Sequence, residues 1–291
     1  MEGGRELIRG IHFLLTYQCT RACPHCFLWA RPGSLATMNV EQVTAYLDAV
    51  AGTAVRQVFF EGGEPFLYYP TLRRAVQMAS DRGLYVGVLT NGYWATGHEE
   101  ALGCLGELLA AGMDAIMIST DDFHGGAEES RRATLVIQAA RDLGLEPDVA
   151  PTCLEDVLFR GRAAVTLARQ VPGREARHYD GPCTLEDLVH PSRVHVDPLG
   201  YLHLCQGLVM GRVGADGDLA EILVNWDVSR NPVAHLLATE GPYRLAAEYG
   251  VAVEGTFADR CHLCYEARRA LFLRGLSAHL GPGQMYGVFD G

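Results

Sequence analysis

The sequence predicts an α/β fold in which helices cover a mainly parallel sheet. Along the first part of the chain, short β-like runs alternate with helical patterns at roughly the spacing of βαβ units. The β-like runs are nearly continuous apolar stretches, which is typical of strands that are buried on both faces. With 291 residues, the chain is long enough for one large α/β domain and an appendage. Periodicity alone leaves open whether the sheet curves into part of a barrel or stays a doubly wound open sheet.

Five strand–helix pairs are predicted in order. The strands cover residues 11–17, 55–63, 84–92, 113–120 and 145–152. The helices that follow them show apolar residues at helical spacing, the first with a glycine stop, and cover residues 40–52, 71–83, 98–112, 128–144 and 154–171.

The alternation ends in the segment 171–183. After it, apolar and polar residues alternate with period two around a Pro-Leu-Gly turn, which predicts a hairpin of Arg193–Asp197 and Tyr201–Cys205. We therefore predict a first domain over 1–172, a second over 173–275 and an irregular, glycine-rich tail over 276–291.

The composition narrows the class of partner. The formal charge is −11 and no basic run occurs, which disfavours binding to duplex DNA, other nucleic acid or an anionic membrane. The first residues show no signal-peptide pattern, and no apolar run is long enough to cross a bilayer. We expect a cytoplasmic protein, in which disulfides rarely persist. The nine cysteines then indicate metal ligands or redox groups rather than disulfides.

Three of these cysteines, Cys19, Cys23 and Cys26, follow the first strand in C-x3-C-x2-C spacing. Ligands collect at the carboxyl ends of parallel strands, so this loop occupies an active-site position. Three thiolates suit three irons of a [4Fe-4S] cluster and leave the fourth iron open for a substrate or cofactor. The alternative is a three-thiolate zinc site completed by His25 or a distant residue.

The loop resembles the signature of the radical SAM enzymes, which follows the first strand of a partial (β/α)6, TIM-like barrel. The resemblance implies that the open iron binds the amino and carboxyl groups of S-adenosylmethionine (SAM). One electron then yields a 5′-deoxyadenosyl radical, which removes a hydrogen atom from a substrate carbon. Family members usually have an aromatic residue just before the third cysteine. Here His25 stands there and Phe27 follows Cys26, so the Phe27 carbonyl is expected near the adenine.

A second motif, at the end of the second strand, resembles the family's GGE motif, which contacts the methionine ammonium of SAM. Glycines let backbone carbonyls approach a ligand, and a glutamate supplies a charged acceptor for a cation. The motif consists of Gly62, Gly63, Glu64 and Pro65.

The end of the fourth strand offers further candidates. By the same resemblance it often holds the SAM ribose, which points to Ser119 or Asp121. Asp121 and His124 could also hold substrate or act in acid–base catalysis. For Thr90 and Asn91, at the end of the third strand, a capped turn is the favoured interpretation.

Four later cysteines, Cys183, Cys205, Cys261 and Cys264, could complete a closed [4Fe-4S] site. They also suit a four-cysteine zinc ribbon. The arrangement resembles the twitch domain, a shortened SPASM extension that carries one auxiliary cluster. With this resemblance, the expected architecture is a partial barrel followed by a small hairpin-plus-helix twitch domain, with SAM and two [4Fe-4S] clusters as cofactors.

Two cysteines remain. Cys104 lies in a predicted helix and is expected to be a small buried hydrophobe. Cys153 follows the fifth strand and is a candidate hydrogen-atom donor, as in some radical SAM epimerases. Burial beside the fifth helix would explain Cys153 equally well.

The expected reaction is the oxidation, by dehydrogenation, of a small molecule, with the auxiliary cluster taking the electron. Alternatives are modification of a ribosomal peptide, redox-neutral epimerisation, and a non-catalytic zinc-binding protein. The barrel begins near residue 10, which leaves no room for an N-terminal peptide-recognition domain. This disfavours a ribosomal peptide as the substrate. A flavodoxin or ferredoxin is the expected reductant. The sequence predicts neither the substrate nor the oligomeric state.

Overall fold

The computed structural model describes residues 8–120, 123–150, 153–276 and 278–289. In chain order, the strands are β1 (Gly10–Thr16), β2 (Gln57–Gly62), β3 (Tyr85–Thr90), β4 (Ala115–Ser119), β5 (Asp148–Ala150), β6 (Arg174–Glu175), β7 (Arg193–Val196), β8 (Tyr201–Cys205), β9 (Leu208–Arg212) and β10 (Thr256–Phe257). The α-helices are α1 (Val40–Val50), α2 (Tyr69–Ser80), α3 (His98–Ala110), α4 (Ala127–Asp142), α5 (Arg162–Thr166), α6 (Leu219–Val224), α7 (Pro232–Thr239), α8 (Pro242–Glu248) and α9 (Arg260–Leu273).

One large sheet organises the molecule, with strand order β5-β4-β3-β2-β1-β7-β8-β9. Neighbouring strands from β5 to β7 are parallel, and β7, β8 and β9 pair antiparallel. Strands β5 and β9 form its two edges, so within the described residues the sheet does not close on itself. The prediction of an α/β fold with a partial barrel is confirmed.

Successive side chains of β1 lie in two different environments, one on each face of the sheet. Ile11, Phe13 and Leu15 are buried in the core cluster that also contains residues of α1 and α2. Because successive side chains of a strand point to opposite faces, His12 and Leu14 lie on the other face of the sheet. The same alternation places Phe60 in the helix-covered core and Glu61 on the opposite face. The sheet therefore carries polar groups on the face that α1 and α2 leave uncovered.

The predicted helix over 154–171 is wrong over most of its length. The structure has only the short α5, followed by a 3-10 turn at Ala168–Gln170. Gly161 precedes α5 with φ of +61°, in the left-handed region, which interrupts a right-handed helix. A Cβ on Gly161 would lie 2.5 Å from the Phe27 backbone. Contact with the cysteine loop therefore takes precedence over helix propensity here.

The predicted hairpin forms, as β7 and β8. It belongs to the main sheet, because β7 pairs with β1. Asp197 anchors it: its Oδ1 accepts from the Leu199 and Tyr201 backbone nitrogens, and its Oδ2 accepts from Tyr17 Oη at 2.7 Å. Tyr17 lies just beyond β1, so this buried bond ties the hairpin turn to the start of the cysteine loop. The domain division near residue 173 stays a prediction.

The second half of the chain packs as a helical cluster against the end of β1. Helices α7, α8 and α9 share a second core cluster with Leu14, Tyr17 and Leu28. Arg268 of α9 is also buried, with only 1% of its surface exposed. None of the helices in the described ranges combines the length and the apolar character needed to traverse a bilayer.

Candidate active site

A cavity of about 300 Å³ lies at the carboxyl ends of the parallel strands. Residues from five consecutive strand ends line it, as expected for a ligand site in a parallel sheet. Predicted site residues that line this cavity are Cys19, Cys23, Cys26, Phe27, Gly62, Gly63, Ser119 and His124. The structure therefore brings together both sequence motifs and the end of β4.

The two glycines after β2 hold the cysteine loop in place. A Cβ on Gly62, whose φ is +134°, would lie 2.4 Å from the Thr16 carbonyl oxygen, and one on Gly63 would lie 2.0 Å from that of Gln18. Instead, the Gly63 nitrogen donates to the Thr16 carbonyl at 2.7 Å and the Glu64 nitrogen to that of Gln18 at 2.8 Å. This contact requires glycine at both positions.

Glu64 has a different environment from the predicted one. It is fully buried, and its carboxylate accepts from Thr90 Oγ1 and the Asn91 nitrogen, both at 2.8 Å, and from the Phe66 nitrogen at 3.1 Å. Burial outweighs these hydrogen bonds and raises the pKa of Glu64 to about 7. Within the described residues, neither Glu64 nor Pro65 belongs to the cavity lining. The Glu64 side chain links the ends of β2 and β3.

The end of β3 also contacts the cysteine loop. Asn91 Nδ2 lies 3.6 Å from Cys19 Sγ and 3.3 Å from Thr20 Oγ1. Burial raises the pKa of the Cys19 thiol to about 11, so a metal that binds there must displace its proton. Thr90 and Asn91 thus do more than cap a turn, because both line the cavity.

Sequence reasoning missed Arg162, which holds the cysteine loop from its other side. Its side chain is buried and donates to the carbonyls of Cys23 and Ala30, both at 2.7 Å. Its backbone nitrogen donates to the Cys26 carbonyl at 2.9 Å. No local pattern marks this arginine, since the segment resembles an ordinary amphipathic helix.

The second set of cysteines also converges. Cys183, Cys205, Cys261 and Cys264 line one pocket. Cys205 ends β8, Cys261 and Cys264 lie in the first turns of α9, and the Cys183 nitrogen donates to the Leu237 carbonyl at 2.8 Å. Asp259 caps α9 by accepting from the His262 nitrogen at 2.6 Å.

Two arginines border the same pocket. Arg160 donates to Cys205 Sγ at 3.3 Å, pairs with Glu186 at 3.5 Å and lies 5.7 Å from the ring of Phe27. Arg268 donates to the Gln206 carbonyl at 2.8 Å, while its buried Nε has no hydrogen-bond partner among the described residues. Burial disfavours its charge, yet the pKa of Arg268 is raised because the Cys264 sulfur lies close. Buried cations beside four sulfurs indicate a site for an anionic group.

The Radical SAM superfamily model matches residues 13–161, just over half of the chain. The chain belongs to the radical SAM superfamily. Its enzymes use SAM and a [4Fe-4S] cluster, and the matched range contains the three-cysteine loop and the glycine motif.

Several curated proteins are similar to this radical SAM chain. PqqA peptide cyclase from Xanthomonas campestris pv. campestris is 36% identical over 112 residues, covering 37% of this chain and 27% of the cyclase. AlbA, the antilisterial bacteriocin subtilosin biosynthesis protein of Bacillus subtilis, is 24% identical over 200 residues, covering 66% and 44%. The S-adenosylmethionine-dependent nucleotide dehydratase of Psychrobacter lutiphocae is 29% identical over 101 residues, covering 30% and 33%. The chain spans less than half the length of each of these relatives.

The sulfurs of the second cysteine set do not all lie within the distance limit that a single shared ion suggests. Among the described residues, a single group of three metal-ligating side chains has all its ligand atoms within 4.8 Å of one another, and it contains no cysteine. A tetrahedral zinc with bonds of about 2.3 Å would hold its sulfurs about 3.8 Å apart. A cubane binds each thiolate at a separate iron, which suits a wider spacing. Within the described residues, no three of the four cysteines have all their sulfurs within 4.8 Å of one another.

One predicted catalytic residue is not part of the radical SAM cavity lining, and another lies outside the described residues. Cys153 is exposed, and its thiol donates to Asp156 Oδ2 at 2.9 Å. It is absent from the cavity lining within the described residues. Asp121 lies outside the described residues. The catalytic roles of both residues stay predictions.

Sequence reasoning also missed a polar cluster on the face of the sheet opposite α1 and α2. Glu61 Oε1 lies 3.0 Å from His12 Nδ1 and 3.2 Å from His195 Nε2. Burial acts to raise the pKa of Glu61, but its two histidine partners outweigh burial and lower it. Burial lowers the pKa of His195. Glu61 also lines the radical SAM cavity.

Proposed function

We propose that this radical SAM enzyme oxidises its substrate by removing hydrogen, and that a second [4Fe-4S] cluster accepts the electron. Cys183, Cys205, Cys261 and Cys264 would hold this second cluster. The observation that carries the proposal is their convergence on one pocket, together with two arginines, at a spacing wider than zinc requires.

At the first site, Cys19, Cys23 and Cys26 would hold the catalytic cluster. Bound there with SAM, a reduced cluster supplies a 5′-deoxyadenosyl radical. The remaining groups position this chemistry. Gly62 and Gly63 bring the end of β2 against the loop without a side chain between them, and Arg162 fixes the loop through its carbonyls. We assign Ser119 and the Phe27 carbonyl to SAM, because both residues line the cavity.

The oxidation balances in three parts. A substrate carbon would give up one hydrogen atom, a neighbouring group would lose a proton to a base, and one electron would remain to be accepted. His124 is the proposed base, since it lines the cavity. The second cluster would supply the acceptor for the electron. Arg160 and Arg268 would stabilise the extra negative charge of that acceptor.

The substrate class has two candidates. A small molecule is the first candidate. A peptide is the second candidate, because PqqA peptide cyclase and the bacteriocin biosynthesis protein AlbA are among the similar proteins. A flavodoxin or ferredoxin is the proposed reductant in either case.

Anaerobic reconstitution tests the two-cluster proposal. We expect about eight irons per chain, and about four in a Cys261→Ala/Cys264→Ala variant that still cleaves SAM when reduced. Cys23→Ala should abolish SAM cleavage, and Cys104→Ala, in α3, should keep all the iron. About four irons in the unaltered chain, or zinc at the second site, would contradict the proposal.

Product analysis tests the reaction. Incubation with candidate small molecules and with candidate peptides should give a product that has lost two hydrogen atoms, together with 5′-deoxyadenosine. A product of unchanged mass would indicate epimerisation instead and would overturn the oxidation. The class of molecule that is converted decides between the two substrate candidates.

A further inference from the structure

The cluster of His12, Glu61 and His195 brings together three neighbouring strands of the sheet. His12 of β1 stands opposite His195 of β7, and Leu14 of β1 stands opposite Glu61 of β2. The two histidines therefore lie in one layer and the glutamate in the next layer towards the carboxyl ends of the strands. The three side chains come from positions far apart in the sequence, so only sheet register brings them together.

Two of the three distances between ligand atoms in the cluster match those between ligands that share one ion. Both histidine nitrogens approach the same oxygen, Glu61 Oε1, at 3.0 and 3.2 Å. All three ligand atoms lie within 4.8 Å of one another, and no other described group of three does so. Metal–ligand bonds of about 2.0–2.1 Å place neighbouring ligand atoms roughly 3.0–3.4 Å apart.

The cluster is closely packed and largely buried. Glu61 and His195 are each only 6% exposed. The His12 ring stacks on Phe59, with centroids 4.9 Å apart and an interplanar angle of 16°. A Cβ on Gly87 would lie 2.2 Å from the Phe59 ring, so the glycine provides the space that Phe59 occupies. Ligands on packed strands are held more precisely than ligands on loops.

The charges of the cluster also suit a cation. Glu61 is a buried carboxylate, and no lysine or arginine is hydrogen-bonded to it within the described residues. Its partners are imidazoles, which bind metals in their neutral form. Two imidazoles and one carboxylate form a ligand set that occurs in catalytic zinc sites, where a further position stays open for water or substrate.

We propose that His12, Glu61 and His195 bind one divalent transition-metal ion, of the class of zinc, beside the radical SAM cavity. The site goes beyond the proposed oxidation and does not depend on the second cluster. Because Glu61 also lines the cavity, the open coordination position would serve a water molecule or an oxygen of the substrate.

Zinc retention by the reconstituted protein tests this site. Chains whose cysteine sites are already loaded with iron are incubated with one equivalent of zinc sulfate and gel-filtered. Zinc content and zinc K-edge X-ray absorption are then measured. We expect one zinc per chain with nitrogen and oxygen neighbours at about 2.0–2.1 Å and no sulfur shell at about 2.3 Å.

Matched variants make the test specific. Glu61→Gln and His12→Asn should each weaken zinc affinity at least tenfold. His98→Asn removes a more exposed histidine that also contacts a carboxylate, Asp142 at 2.9 Å, and should retain zinc. No retention by the unaltered chain, a sulfur shell, or equal retention by Glu61→Gln would overturn the proposal. If Glu61→Gln does not fold, as judged by circular dichroism, the His12→Asn result decides.

Discussion

At the residue scale, the radical SAM loop depends on contacts that a single Cβ would abolish. Gly63 lies directly against the Gln18 carbonyl, one residue before Cys19. The repeated glycine of the motif is visible in the sequence, and its resemblance to the GGE motif indicates SAM as the ligand. Its second function, as a surface against which the cysteine loop packs, depends on β1 and β2 being neighbours in the sheet.

We predict that Gly63→Ala displaces the cysteine loop, because its Cβ would lie 2.0 Å from the Gln18 oxygen. The expected costs are about 1–3 kcal/mol in the free energy of unfolding and a lower iron content at the first site. Thermal unfolding and iron analysis measure both quantities. Gly103→Ala, on an exposed turn of α3, is the control. Its new Cβ would have no packing neighbour within 4 Å outside its own helix, so this variant should keep its iron. Full iron loading in Gly63→Ala would contradict the prediction.

At the element scale, α9 presents two of the four cysteines of the second site. Its position relative to β8 decides whether Cys261 and Cys264 meet Cys205, and its start is fixed by Asp259. This carboxylate caps the helix and also accepts from the Phe159 nitrogen at 3.2 Å. One side chain therefore joins α9 to the segment that carries Arg160.

We predict that Asp259→Ala frays the start of α9 and lowers iron loading at the second site. The loss of the cap should cost about 0.5–2 kcal/mol. Asp218→Ala removes the equivalent cap of α6, where the Asp218 side chain accepts from the Glu221 nitrogen, and is the matched control. A similar loss of stability with unchanged iron is expected of Asp218→Ala. Equal iron content in both variants would refute the special role of Asp259.

At the scale of the whole molecule, the two cysteine sites are structurally joined. Arg160 contacts the ring of Phe27 beside the first site and the sulfur of Cys205 in the second. Trp29 Nε1 donates to Tyr265 Oη at 2.9 Å, which connects the cysteine loop to α9. Because few groups separate the two sites, a change of charge at one site is expected to alter the electrostatic potential at the other.

We predict that Arg268→Met lowers the reduction potential of the proposed second cluster, because its reduced state would lose a buried positive neighbour. An electrostatic contribution of about 1.4 kcal/mol corresponds to a shift of about 60 mV for one electron. Redox titration followed by electron paramagnetic resonance measures the shift. Arg274→Met, on an exposed arginine after α9, should leave the potential unchanged. Identical potentials in Arg268→Met and the unaltered chain would contradict the prediction, and Arg268→Gln, which also removes the charge, replaces a variant that does not fold.

The sequence by itself determined the features that depend on local order. Strand–helix alternation, the hairpin, the cysteine loop after β1 and the glycine motif after β2 all follow from short-range periodicity and spacing. The tertiary structure decided the rest. Gly161 shortened α5 because its backbone meets Phe27. The burial of Arg162 and Arg268 and the meeting of His12, Glu61 and His195 require segments far apart in the chain to pack together, and sheet register with helix packing brings this about.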